Sequence, residues 1–225
     1  MDMNLPRNKD FTFDNGDVRI FISGLDGETQ FGMVCSQAMC LASPVWKKFI
    51  YPSFRQLPHD EAGEEKSVGE PIGSGVGTNL KGTDNSGEGE HLKPVEELDF
   101  TEDDPAALYI LLRIAHLDFS SVSKKLKAKE LWEVAVLCDQ YDCVHLVSMF
   151  LPRWLSDAET KSKQSDCERW LFIAWAFGRT EIFQALAQKM LTSVSLSMEG
   201  DIVGFGGKAI DFPMPLGITG NKRGR

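Results

Sequence analysis

Two pairs of cysteines have a spacing that could hold a metal ion. Four residues separate Cys35 from Cys40 and Cys138 from Cys143, and His145 lies two positions after the second pair. Structural zinc sites use cysteine and histidine ligands with about two to four intervening residues. Both pairs, however, lie in segments with the apolar period of a helix, where cysteine packs as a small hydrophobic residue. We therefore expect packed thiols, with no metal and no other cofactor.

A glycine-rich run at 73–77 could in principle cradle a phosphate group. The nearest frame with the spacing of a nucleotide-binding loop runs from Gly77 to Gly82 and continues into Thr83, where that motif requires a lysine. No strand pattern leads into the run either. We expect a flexible linker here and no nucleotide site.

The four histidines do not complete a catalytic set. His59 and His91 lie at the two ends of an acidic stretch, where no preorganised geometry is expected. His116 and His145 lie in apolar helical surroundings, where a histidine more often packs or caps a helix. The chain contains no Gly-x-Ser-x-Gly elbow and no His-Glu-x-x-His zinc helix. These observations predict a protein that is not an enzyme.

Composition and charge narrow the classes of partner. The chain has 225 residues, 33 acidic and 24 basic, and a net charge of -9, which argues against a surface built to neutralise phosphates. No apolar run approaches the roughly 18 residues that a membrane helix needs, and the N-terminal residues lack a secretory signal. Five cysteines without such a signal favour reduced thiols. We expect an intracellular protein of the cytoplasm, the nucleus or both, with no membrane partner.

Glycine divides the chain into segments. Of the 20 glycines, eight lie between Pro58 and Lys93 and seven between Gly200 and Arg225. The first stretch holds eight acidic residues, three lysines and no aromatic residue, so it has too little apolar surface to offset the entropy of ordering it. We expect a disordered surface insertion at 58–93, because the entropy of closing a loop grows only logarithmically with its length.

A β-hairpin is predicted before the insertion. Val18, Ile20 and Ile22 alternate with more polar or outward positions, as in a half-buried strand. Gly24 to Gly27 supply turn residues, and Thr29 to Val34 can return as the partner strand. Between Ser36 and Tyr51 the sequence then predicts two short helices separated at Pro44.

Helices dominate after the insertion. Val95 to Phe100 is a short candidate strand, and Thr101 to Pro105 is a helix start that leads into the apolar segment AALYILLRIAHL. That helix should be central to the core. Further helices are predicted by apolar faces with helical spacing, which comprise Leu131, Val134, Ala135, Cys138 and Tyr141, then Val144, Val147, Leu151 and Trp154, and finally Phe183, Leu186, Ala187 and Met190. Strands followed by helices alone indicate an α+β fold.

A corner between the last two helices raises the alternative of DNA binding. Gly178, Arg179 and Thr180 join the helices as in a helix-turn-helix. The second helix offers Lys189 as its single cation, whereas phosphate contacts supply much of the affinity for DNA. We expect a packed helical hairpin, and a DNA-associated transcriptional regulator is the weakest of the three functions considered.

Four sequence blocks resemble the BTB/POZ domain in the form common in filamentous fungi. They are GDVRIFI, VCSQAMCLASPVWKKF, ELDFTEDDPAALYILLRIAHLDF and KELWEVAVLCDQYDC, in the order of that family, and they cover most of 16–155 outside the insertion. The resemblance implies a small sheet against a cluster of helices, followed by a helical C-terminal extension at 156–199. The Gly- and Pro-rich composition of 200–225 indicates a flexible tail, and residues 1–15 are expected to form a leader.

The resemblance also implies a function and candidate interface residues. Members of the family are non-enzymatic interaction modules that self-associate, for example as homodimers, or dock proteins such as cullin ubiquitin ligases. The function expected here is therefore protein–protein interaction, and the alternative is a substrate adaptor of a cullin ligase. The positions that match the partner-binding positions of the family are Asp17, Cys35, Ser36, Leu108, Tyr109 and Ile110.

This sequence departs from the family at three places. Cys35 and Ser36 stand where many members have a histidine and a basic residue, which would pair with Asp17. Ile110 replaces the glutamate of a hydrophobic-x-Glu pattern that cullin-binding members show, so cullin binding is expected to be weak. Sixteen residues precede Asp17, so the N-terminal element of strand-swapped dimers is expected to be short or absent.

Overall fold

A four-stranded sheet lies on one side of the fold. Its strands are β1 (Arg7–Thr12), β2 (Val18–Ser23), β3 (Thr29–Val34) and β4 (Glu97–Phe100), in the order β1-β3-β2-β4. Strands β2 and β3 form the predicted antiparallel hairpin, and β4 runs parallel to β2. This small sheet with its helices confirms the α+β class. The computed structural model describes residues 5–24, 27–52, 93–164, 167–192, 195–196 and 202–203.

Several predictions therefore concern residues outside this description. The acidic insertion lies outside the described residues, apart from its last residue, Lys93. The glycine-rich run at 73–77 within the insertion lies outside them as well. The tail is described at Ile202–Val203, which pairs with Ser195–Leu196 as a two-stranded ladder.

The alternation of β2 explains its position between β3 and β4. Val18, Ile20 and Ile22 have no exposed surface and point into the core. Arg19 faces the opposite side, where its guanidinium lies 2.7 Å from the carboxylate of Glu97 on β4. Because side chains alternate between the two faces of a strand, one apolar set is enough to fix which face of β2 is buried.

The first strand was not predicted. Residues 1–15 were expected to form a leader, yet β1 runs parallel to β3 along the edge of the sheet. It has six residues, as do β2 and β3, and Phe11 is its buried side chain. Gly32 permits this pairing, because a Cβ there would lie 2.2 Å from the carbonyl oxygen of Phe11.

Two short helices follow β3, with the break at the predicted place. Helix α1 spans Ser36–Ala42 and helix α2 spans Pro44–Ile50. The Ser43 hydroxyl accepts hydrogen bonds from the backbone N–H groups of Val45 and Trp46, which caps α2. The same hydroxyl donates to the carbonyl oxygen of Tyr141 at 2.5 Å, so the cap also ties α2 to a distant segment.

Helix α3 (Pro105–Ala115) is central to the core, as its composition predicted. Asp104 accepts a hydrogen bond from the N–H of Ala107 at 2.9 Å and caps the first turn. Leu108, Leu111 and Leu112 have no exposed surface. The helix packs on both α1 and α4 (Ala128–Gln140), whose predicted apolar face is buried in full.

Five further α-helices follow α4 in the described part of the chain. They are α5 (Val144–Val147), α6 (Leu151–Trp154), α7 (Ala158–Gln164), α8 (Cys167–Ala176) and α9 (Thr180–Leu191). Pro152 stands in the first turn of α6, where the segment that carries Val144, Val147, Leu151 and Trp154 is divided into two helices. Helix α8 packs on both α4 and α9, so α8 and α9 form a helical hairpin. Within the described ranges, no helix combines the length and apolar character needed to cross a membrane.

The close approach of β1 to β3 gives a test of the sheet. We expect Gly32→Ala to lower the free energy of unfolding by about 1–3 kcal/mol, because the obstacle to the new methyl group is backbone and cannot rotate away. Thermal unfolding and the rate of tryptic cleavage at Lys9 would measure the loss of β1 pairing. Thr29→Ala, at an exposed position of the same strand, is the control. Cleavage and unfolding identical to wild type would show that β1 is not held at this crossing.

Candidate functional site

A surface groove lies between α1 and the C-terminal end of α3. We call it the α1–α3 groove, and its volume is about 500 Å³. This volume is in the range of pockets that bind ligands or side chains of a partner. The residues that line it are Asp14, Asn15, Cys35, Ala38, Leu41, Ala42, Ile114, Ala115, His116, Leu117, His145 and Leu146.

Two leucines on opposite walls of the groove are exposed. Leu41 at the end of α1 has 85% of its surface exposed, and Leu117 just after α3 has 74%. Scattered exposed apolar residues are normal on a folded protein, but these two leucines both line one apolar groove. The groove is therefore a concave apolar surface with an exposed leucine on each wall.

One imidazole ring joins the two walls of the groove. The N–H of Cys35, which precedes α1, donates to Nε2 of His116 at 3.0 Å. Nδ1 of the same ring lies 2.7 Å from the carbonyl oxygen of Leu112. Since a carbonyl only accepts, the ring carries its proton on Nδ1 and is neutral in this arrangement. The ring also stacks on Phe13, with centroids 3.9 Å apart.

The surroundings of His116 oppose its protonation. Burial lowers the pKa of His116, and the nearby Arg113 guanidinium lowers it further, while the bond to Leu112 acts in the opposite direction. A protonated ring would have no lone pair on Nε2 to accept from Cys35. The neutral ring is thus the form that holds α1 against α3.

Asp17 and Ser36 are paired, although not through the cation that the family resemblance would place there. The Asp17 carboxylate accepts from the backbone N–H and from the hydroxyl of Ser36, both at 2.6 Å. Ser36 is buried, and Cys35 is half-buried in the wall of the groove. The Asp17–Ser36 pair therefore fixes the start of α1, and Cys35 is the member of the three that lines the groove.

The other three candidate residues lie elsewhere. Tyr109 and Ile110 line a second groove of about 470 Å³, which we call the β1–α3 groove and which also includes Phe11 and Leu126. Leu108 has no exposed surface and belongs to the core, so it is not available to a partner in this fold. Of the six candidate residues, Cys35 lines the α1–α3 groove, Tyr109 and Ile110 line the β1–α3 groove, and Asp17, Ser36 and Leu108 line neither.

An arginine fixes the chain beside both grooves. The Arg113 guanidinium lies over the rings of Tyr109 and Phe13, at 4.7 and 5.4 Å from their centroids. It donates to the carbonyl oxygen of Asp10 at 3.0 Å and pairs with the Asp118 carboxylate at 2.5 Å. Hydrogen bonds from Ser120, Arg113 and Ser121, in that order, lower the pKa of Asp118 to about 2.

Helix α3 ends in a conformation that disfavours leucine. Leu117 has φ +62°, in the left-handed region. The N–H of Asp118 bonds to the carbonyl of Arg113 at 2.9 Å, and the N–H of Leu117 bonds to that of Ile114 at 3.0 Å. This is the Schellman motif, whose left-handed position is usually glycine, and a residue with a Cβ is disfavoured there by about 1–2 kcal/mol.

Sequence reasoning missed the roles of His116, Leu41 and Leu117. His116 was expected to pack or cap, and it does cap α3, but its bond to Cys35 joins positions 81 residues apart. The sequence did indicate strain at Leu117, since no glycine or asparagine stands at the end of this helix to take the left-handed position. The exposure of Leu41 follows from its place on the outer face of a helix whose other side is buried.

Other clusters of ionisable groups are buried in the core. Tyr141 donates to the buried carboxyl of Asp103 at 2.5 Å, and burial raises the pKa of both groups. A hydrogen bond with Cys143 and burial both raise the pKa of Cys138, which keeps this thiol protonated. Among the residues that the structure describes, no group of three or more His, Cys, Asp or Glu side chains could hold a metal ion.

Comparison with known proteins adds no family to these observations. No protein-family model matches the chain, and no curated protein matches it. The two grooves are therefore interpreted from their own residues.

The bond between Cys35 and His116 predicts that stability depends on pH. In the unfolded chain His116 takes up its proton near its usual pKa of 6.5, whereas the folded pKa is lower. As the pH falls through this value the unfolded state binds more protons, so the free energy of unfolding decreases. We expect the melting temperature to fall between about pH 7 and pH 5, and to fall less in His116→Gln, which does not titrate.

Calorimetric melting of both proteins in the same buffers would measure the difference, since the carboxylates are common to both. Parallel pH profiles for the two proteins would contradict the assigned role of the imidazole.

Proposed function

We propose that this chain is a non-enzymatic protein–protein interaction module of the BTB/POZ type, which self-associates through the α1–α3 groove. The observation that carries the proposal is the pair of exposed leucines, Leu41 and Leu117, on the two walls of an apolar groove. Apolar surface of this kind is stabilised when a partner removes it from water.

The topology supports the family part of the proposal. A β-hairpin, a helical pair, a strand parallel to the first strand of the hairpin and a cluster of helices follow one another in the order that the BTB/POZ resemblance implies. The helices from α7 to α9 lie within 156–199, the range in which a helical extension was expected.

The position of β1 favours the groove over strand exchange as the route of association. Strand β1 pairs with β3 of its own chain, and Arg113 ties it to α3. A strand that is already bound within its own sheet would have to be released before it could be exchanged. The α1–α3 groove, in contrast, is open in the single chain.

Sedimentation velocity over a range of concentrations tests self-association. We expect a dimer to form at about micromolar concentrations and Leu41→Gln to weaken it, because the change removes apolar surface from one wall of the groove. Leu191→Gln is the matched control, since Leu191 is also 85% exposed but lies at the end of α9. A wild-type protein that stays monomeric up to about 100 μM would contradict the proposal.

The alternative function is that of a cullin adaptor, and Ile110 is the residue that bears on it. Ile110 lines the β1–α3 groove and offers no acceptor, where a glutamate could accept charge-assisted hydrogen bonds. An interface donor left without its acceptor disfavours binding by about 1–3 kcal/mol. We expect weak or no binding of a cullin N-terminal domain to the wild type, and tighter binding to Ile110→Glu.

Calorimetry with the cullin domain and both proteins would decide this point. Sub-micromolar binding by the wild type would instead favour the adaptor function.

A further inference from the structure

We propose that Leu117 is the residue on which self-association depends, and that the fold holds it in a strained conformation so that it enters the α1–α3 groove of a second copy. This inference rests on the proposed function and names the contact that would carry it. Residues held in rare backbone conformations often mark functional sites, provided that the strain is observed first.

The strain is evident from a comparison of three helix ends in the same chain. Helices α3, α4 and α8 all end with a residue in the left-handed region, namely Leu117 (φ +62°), Asp142 (φ +49°) and Gly178 (φ +63°). All three ends have the same pair of backbone hydrogen bonds. Glycine takes this conformation without penalty and aspartate tolerates it, whereas leucine is a bulky outlier there.

The side chain of Leu117 adds little to the end of its own helix. In a Schellman motif the residue after the left-handed position often contacts a residue in the last turn of the helix. Here Asp118 and Arg113 make that contact through an ion pair. Leu117 itself is 74% exposed. A glycine at this position could form the same backbone bonds without the strain, so the leucine is better explained by a contact outside the chain.

A second copy is the occupant that fits this face. The face carries both parts of the contact, the projecting leucines and the apolar groove between them, so two copies related by a two-fold axis would each insert Leu117 into the other's groove. The chain as a whole has a net charge of -9, which opposes association of like copies. Among the described residues that line the groove, however, Asp14 is the one carboxylate.

The variant Leu117→Gly removes both the backbone strain at this position and the side chain that would contact a second copy, and the two losses have different effects. We expect it to raise the melting temperature by about 2–4 °C through relief of strain, and to weaken self-association at least about tenfold through loss of buried apolar surface. Asp142→Gly is the matched control, because it relieves the same kind of strain at the exposed end of α4. It should raise the melting temperature and leave association unchanged.

Sedimentation velocity and thermal melting of the full chain would be recorded for the wild type and both variants. A wild type that associates while Leu117→Gly associates equally well would overturn this inference and leave the proposed function standing. A monomeric wild type would overturn both.

A third variant, Leu117→Asn, guards against an effect of glycine on folding, because asparagine also tolerates the left-handed region. It should remain folded and lose association. If either variant at this position melts well below the wild type, Leu117 serves the fold and the inference is wrong.

Discussion

The contacts of Arg113 are the constraint on which the rest of the structure depends. Its guanidinium lies against two aromatic rings, bonds to the backbone of β1 and pairs with Asp118 beyond the end of α3. The bond to the Asp10 carbonyl adds to the pairing that holds β1 on β3, and the ion pair closes the turn after the helix. In this turn Leu117 has a positive φ and is exposed.

The imidazole of His116 connects the end of α3 to the opposite wall of the α1–α3 groove. Its two nitrogens bond to α3 and to the residue before α1, and its face packs on Phe13. The start of α1 is held independently by the Asp17–Ser36 pair. The groove therefore has walls that are fixed before any partner arrives, and a preorganised surface loses less entropy on binding.

The buried core of the fold is distinct from its exposed leucines. The interior consists of packed apolar side chains and buried thiols, with a buried tyrosine–carboxyl pair that links α4 to the start of α3. The exposed leucines take no part in that interior. Natural proteins are rarely as stable as their fold permits, and the strained backbone at Leu117 is one place where this chain gives up stability.

Much of the fold follows from local patterns in the sequence, because the period of apolar residues and the chemistry of helix caps act over a few residues. The alternation in β2, the helix start at Thr101 to Pro105 and the break at Pro44 each predicted the element that the structure contains. The family resemblance indicated which residues to examine, but not how they are arranged.

The tertiary structure alone decided the arrangement of the site. Strand β1 lacks an apolar alternation and depends on Gly32, about twenty residues away, for room to pair. His116 reaches Cys35 across 81 residues, and Leu117 is left exposed where Arg113 and Asp118 pair across the end of α3. Local periodicity determines which side of an element is buried, whereas the partner of each polar group depends on contacts between distant segments, which no local pattern records.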